Sequence, residues 1–188
     1  MDAWELFAVG ATLLSVVLTI RQNIWCWPTG IAGVLLYAAV FFRTKLYADM
    51  ALQGVYVVLS IYGWHEWLHG GRDHSVLAVS RSSRVVRVAA VAIGALGALA
   101  LGSILHRTTD AALPFADSAL TSFSLVAQWL LTKKYLENWI VWIGVDVLYV
   151  AMFVYKDLYA TAALYAVFMV LATKGYLAWK ATLERARA

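Results

Sequence analysis

Residues 138–149 read NWIVWIGVDVLY. The segment is apolar enough to lie in a bilayer, yet it carries Asn138, Trp139, Trp142, Asp146 and Tyr149. In a helix, Trp139, Trp142, Asp146 and Tyr149 recur at i, i+3, i+7 and i+10, so two indoles, a carboxylate and a phenol share one face. Asp146 falls inside the apolar run from Trp139 to Tyr155. An ionisable group at that depth costs a few kcal/mol unless it has a partner or a watery cavity, so Asp146 is expected to serve a functional site.

The rest of the chain sets the context for that helix. Hydrophobic residues make up 63% of the 188 and charged ones 14%, which places the protein in the membrane. Cys26 has no second cysteine with which to form a disulfide. The net charge of +4 does not point to nucleic acid, because most of the basic residues sit between apolar segments and report topology. Glycine-rich phosphate loops and a nucleophilic-serine elbow are both missing from the sequence. The first apolar run, Leu6 to Ile20, follows an acidic flank (Asp2, Glu5) and precedes no small-residue cleavage site, so it reads as a span rather than a signal peptide.

Seven spans are expected, all helical because an open sheet would leave backbone groups unpaired in lipid: Trp4 to Ile20, Trp25 to Phe42, Ala48 to Trp64, Val86 to Leu105, Pro114 to Leu131, Trp139 to Tyr155 and Leu158 to Ala178. With the amino terminus outside, eleven Lys and Arg residues fall inside and four (Arg43, Lys45, Arg107, Lys156) outside. The positive-inside rule then puts the carboxyl terminus in the cytoplasm.

An internal repeat constrains the architecture further. Asn23 and Trp27 match Asn138 and Trp142 at an offset of 115; Tyr37, Leu46-Tyr47-Ala48, Gly63 and Trp67 match Tyr149, Leu158-Tyr159-Ala160, Gly175 and Trp179 at 112. The change of offset implies a three-residue insertion in the first copy. Spans two and three recur as six and seven with the same orientation, which is a parallel repeat. The expectation is an all-α membrane protein of two parallel three-helix bundles joined by a linker helix: a first bundle over 1–70, a loop and linker helix over 71–108, and a second bundle over 109–188. The linker, span four, has no polar residue in its middle (AAVAIGALGALALG) and is expected to face lipid.

Polar stripes mark the walls of a cavity. Asp117, Thr121, Ser124 and Gln128 step by four, three and four along span five; Asp49, Gln53, Tyr56 and Ser60 do the same in span three; Thr161 and Tyr165 lie on span seven. Ser and Thr in spans commonly bond their own backbone, and Trp and Tyr near span ends commonly form the interfacial belt. Asp146, Gln53, Gln128 and Asn138 fit neither of these ordinary roles. The rival motif is His65-Glu66-Trp67-Leu68-His69, an H-E-x-x-H match that would make the chain a membrane zinc protease. It stands at a span end with Gly70-Gly71 directly after it, so the helix is expected to fray where the second ligand is needed.

Three segments carry a family resemblance: LYADMALQGVYVVLSIYGWHEW (Leu46 to Trp67), LPFADS (Leu113 to Ser118) and LLTKKYLENWIVWIGVDVLY (Leu130 to Tyr149). With its LYxxxxLQ, YGWxxW and ENWxxW elements, the chain resembles the PnuC family of bacterial vitamin transporters. The resemblance implies a fold like that of the sugar-transporting SWEET proteins, no enzymatic activity, no cofactor and no metal. It also implies a facilitator of nicotinamide riboside uptake in the inner membrane, with the vitamin trapped by a cytoplasmic kinase. Where some members carry Asn after ENWxxWxxx, this chain has Asp146, whose charge suits the pyridinium of nicotinamide riboside or the thiazolium of thiamine equally well. The expected substrate-binding set is Gln53, Tyr56, Thr121, Gln128, Asn138, Trp139, Trp142, Asp146, Tyr149 and Tyr165, with Tyr37 and Tyr149 as a repeat-related pair of gates. The expected partners are the vitamin and the lipid bilayer, with no nucleic acid; assembly into a homo-oligomer is left open, since nothing in the sequence specifies a contact face.

Overall fold

A computed structural model describes residues 3–43, 45, 47–108 and 113–186. Asp2 of the acidic flank and Leu46 of the repeated triplet lie outside the described residues. Among the described residues seven α-helices follow one another: α1 (Ala3–Ile20), α2 (Cys26–Arg43), α3 (Tyr47–His69), α4 (Arg84–Thr108), α5 (Pro114–Thr132), α6 (Asn138–Tyr155) and α7 (Tyr159–Arg185). By length and composition α2, α4, α6 and α7 suffice to cross a membrane. Polar residues that α3 and α5 turn inward lower the hydropathy of those two helices. The protein is a multi-pass, all-helical membrane protein.

Packing closes six of the helices into a ring, in the order α1, α2, α3, α5, α6, α7 and back to α1. Each set of three is an arc with its middle helix between the other two. The fourth helix stands outside the ring against α5. Sequence reading expected α4 to face lipid; one face is exposed, with Val85, Val88, Leu96 and Leu99 on it. The other face is a glycine seam: a Cβ on Gly94 would lie 2.5 Å from the ring of Phe123, and one on Gly102 would lie 2.4 Å from Phe115. Small residues let two helix backbones approach where lipid offers no hydrophobic drive.

The two arcs are copies in a single register, and here the structure corrects the sequence reading. The helix starts Cys26 and Tyr47 recur as Asn138 and Tyr159, each 112 residues on. The turns after α1 and α5 hold Gln22 (φ 56) and Lys134 (φ 54) in the left-handed region. Both turns close with the same backbone bond, Asn23 N–H to Leu18 O at 2.9 Å and Tyr135 N–H to Leu130 O at 3.1 Å, the six-to-one bond that ends a helix in a Schellman motif. Lys45 (φ 60) and Asp157 (φ 58) repeat the arrangement at the other end. Trp27 therefore matches Trp139, not Trp142, and the first copy has no insertion. An N-x-x-x-W pattern occurs in both copies one turn apart, and the indoles at 139 and 142, a single turn from each other, made the wrong pairing look right.

At the end of the ring where α1 and α5 finish, four tryptophans form the core. Trp27 meets Trp67 edge-on at 5.3 Å, Trp139 meets Trp179 edge-on at 5.4 Å, and Trp67 and Trp179 are 5.9 Å apart across the middle. The third helix runs on through His69. The expected fraying at Gly70 does not reach it, because Trp67 is buried in this core and Glu66 pairs with Lys133 at 2.9 Å. The α3–α4 linker then passes beneath: Ser80 exchanges backbone bonds with Lys134 and Leu136, and Ser82 N–H donates to the Glu137 carboxylate.

Candidate functional site

The ring encloses a cavity of about 960 Å³. The α6 helix lines it from end to end with Trp139, Trp142, Asp146, Tyr149, Met152 and Phe153, and Lys156 follows just beyond its last residue. At 1.5 Å of rise per residue, Asp146 stands about 10 Å above Trp139 and about 15 Å below Lys156. Trp27 and Trp139 face the cavity as its floor, with Trp67 and Trp179 packed edge-on directly behind them. The cavity reaches the surface near Asp49, Asp117 and Lys156, where Lys156 lies 3.9 Å from the Asp117 carboxylate.

Nine of the ten expected substrate-binding residues line this space: Gln53, Tyr56, Thr121, Gln128, Trp139, Trp142, Asp146, Tyr149 and Tyr165. Tyr37 lines it as well. Asn138 stands apart. It is fully buried behind the floor, where its amide donates to the carbonyl of Tyr135 at 2.6 Å. Tyr149 stacks on Tyr165 at 4.2 Å and on Phe153 at 5.8 Å, so the second-copy gate candidate is packed into an aromatic cluster. Sequence reading missed the contribution of α1, whose Thr12, Ser15 and Thr19 also line the wall. Their three- and four-residue spacing was there to be found. Thr12 and Thr19 bond their own helix backbone and Ser15 bonds the Cys26 carbonyl, the ordinary behaviour of hydroxyls in spans.

The copies supply different chemistry from equivalent positions. Asp146, Trp142 and Gln128 answer to Val34, Gly30 and Val16, and all six line the cavity. Gln53 and Ser60 on α3 answer to Tyr165 and Ala172 on α7. Carboxylates and carboxamides thus collect on α3, α5 and α6, which are neighbours in the ring; the opposite wall, from α7, α1 and α2, offers hydroxyls and aromatic rings but neither of those groups among the described lining. Such a space suits a small molecule with a flat ring and a polar, charged portion.

No group of three or more His, Cys, Asp or Glu side chains that could hold a metal forms among the described residues. His65 and His69 lie tilted against each other, ring centroids 4.8 Å apart, on an exposed helix face, and Glu66 is taken by Lys133. Burial by itself would lower the Lys133 ammonium, but its hydrogen bonds with Tyr62 and Glu66 outweigh that and hold it above the ordinary lysine value. In the same turn Lys134 is buried, which lowers its value; it donates to the Leu77 carbonyl at 2.9 Å and sits 4.3 Å over the Trp67 ring. His65→Ala is expected to leave uptake within about twofold of wild type, as for an exposed side chain away from the cavity. A vesicle uptake assay checks it, and loss of activity would revive the zinc reading.

Comparison with known proteins agrees with the geometry. A family model described as nicotinamide mononucleotide transporter matches residues 2–181. The chain belongs to this family of membrane transporters. The nicotinamide riboside transporter PnuC of Escherichia coli (strain K12) is 28% identical over 199 residues, covering 92% of this chain and 83% of the relative. PnuC of Neisseria mucosa is also 28% identical, covering 98% and 74%. The riboflavin/roseoflavin transporter RibM of Streptomyces davaonensis is 23% identical, covering 89% and 79%. A crystal structure of the vitamin B3 transporter PnuC superposes with a TM-score of 0.75 at 26% identity, covering 97% of this chain and 82% of that one. The chain is a PnuC-family transporter, not an enzyme.

Proposed function

We propose that the protein is a uniporter for a cationic, ring-bearing vitamin, with nicotinamide riboside as its substrate. The carrying observation is the charge of the cavity. Asp146 presents a carboxylate at mid-depth, while Lys156, the one basic residue among the described lining, is at the mouth beside Asp117. A pyridinium finds its counter-ion at Asp146, and Trp139 and Trp142 offer faces for the ring. Gln53 and Gln128 bond the amide or the ribose hydroxyls. A phosphorylated mononucleotide would bring a dianion to a wall whose one cation among the described lining, Lys156, is at the mouth beside Asp117, so the riboside suits the site better than the nucleotide. The site lies between two repeats, as in other repeat transporters, and rocking of one repeat against the other exposes it alternately to each side. Transport is facilitated diffusion, a cytoplasmic kinase traps the vitamin, and the protein sits in the bacterial inner membrane with its amino terminus outside and its carboxyl terminus in the cytoplasm.

Thiamine is the second reading, because its thiazolium makes the same charge demand on Asp146. Both are tested by titrating purified, detergent-solubilised protein with nicotinamide riboside, thiamine and nicotinamide mononucleotide while following tryptophan fluorescence. Saturable quenching by the riboside and none by the nucleotide is expected. Quenching by thiamine alone would reassign the substrate, and silence with both vitamins would remove the vitamin reading.

A further inference from the structure

We infer that the tryptophan floor is the transport gate at the closed end of the cavity, with Trp67 and Trp179 as its two leaves. This rests on the transport reading above: the cavity reaches the surface at its Lys156 end, so the floor is what must part for a substrate to pass through.

Each leaf is latched across a seam between the repeats. The Trp67 indole on α3 donates to the Leu131 carbonyl on α5 at 3.0 Å, and the Trp179 indole on α7 donates to the Thr19 carbonyl on α1 at 3.2 Å. Donors and acceptors alike are 112 residues apart, so one symmetric motion of the repeats breaks both bonds together. The other two indoles rest on bare backbone: a Cβ on Gly63 would lie 2.2 Å from the Trp27 ring, and one on Gly175 would lie 2.6 Å from Trp139. The Nε1 atoms of Trp27 and Trp139 are buried without an acceptor among the described residues. A closed floor that leaves two donors unsatisfied costs more than an ordinary core of the same size, and parting it lets both donors find partners. Beneath the floor Lys134 holds the α3–α4 linker to Trp67, its ammonium over the indole and bonded to Leu77. Opening at this end therefore moves the linker too.

The chain carries its own reporter. Cys26, its single cysteine, is 3% exposed and packs in the floor cluster next to Trp27. In vesicles of known orientation, a membrane-impermeant maleimide applied to the face that carries the α5–α6 turn is expected to label Cys26 slowly. Labelling should rise severalfold when nicotinamide riboside is supplied on the opposite face. Trp67→Phe and Trp179→Phe each keep a ring but lose the latch, and each is expected to raise labelling from that same face severalfold without the vitamin. Uptake is measured in the same vesicles. Variants that label faster in vesicles that take up no vitamin support the gate and overturn the substrate reading. Cys26 that stays shielded from that face in wild type and both variants, while uptake proceeds, overturns the gate; so does labelling that rises equally from both faces, as a generally loosened core would give.

Discussion

Asp146→Asn is expected to weaken binding of nicotinamide riboside by roughly fivefold to tenfold, because it replaces a charge-assisted contact of about 1.5–3 kcal/mol with a neutral one of about 0.5–1.5 kcal/mol. The substitution is nearly isosteric, so packing around the residue is retained and the fold should survive. The reduced, uncharged form of the same riboside provides the control: it has the same ribose and amide but no pyridinium, and its affinity should change by no more than about threefold, the effect of one neutral contact. The comparison reads charge alone, since Gln53, Gln128, Trp139 and Trp142 are present in both proteins. Equal losses for the two ligands would mean that Asp146 orders the cavity wall instead of balancing charge.

The placement of Asp146 was legible because one helix carries the entire argument: an aromatic and acidic stripe on an apolar helix has a single face on which to lie, and that face must find a cavity. The stripes of α3 and α5 were readable for the same reason. What the sequence did not disclose depends on pairing between helices distant in the chain. Trp67 and Trp179 resemble interfacial-belt tryptophans when each is taken with its own span, yet both are almost fully buried, because their mates Trp27 and Trp139 and the carbonyls of Leu131 and Thr19 lie on neighbouring helices of the ring. Asn138 looked like a cavity residue because a carboxamide there fits no ordinary role of a span residue, yet one residue of helix turns a side chain by about 100° from Trp139, enough to point it behind the floor. The glycines of α4 carried a signal that hydropathy hides. Their spacing marks a seam against α5, and a purely apolar segment shows no polarity from which to infer a direction.

The largest effect on the fold is expected at the paired glycines, and comparing the two separates packing from function. Gly63→Ala places a methyl 2.2 Å from the Trp27 ring, and Gly175→Ala places one 2.6 Å from the Trp139 ring. Each indole meets its partner edge-on at 5.3 and 5.4 Å, so a ring that shifts to admit the methyl disturbs that contact. Overpacking of this kind costs about 1–3 kcal/mol, and for chains of this size each kcal/mol lowers Tm by about 2–4 °C. Both variants should therefore melt several degrees below wild type in the same detergent. Their effects on the vitamin should differ. Trp139 belongs to the copy that carries Trp142, Asp146 and Gln128, whereas around Trp27 the equivalent positions are Gly30, Val34 and Val16. Gly175→Ala is thus expected to cost at least tenfold in affinity by tilting the ring proposed to stack on the ligand, while Gly63→Ala, equally destabilised, should bind within about threefold of wild type. A titration on each variant well below its melting temperature decides the matter: equal losses would mean that the ligand sits on the pseudo-twofold axis and uses both indoles alike.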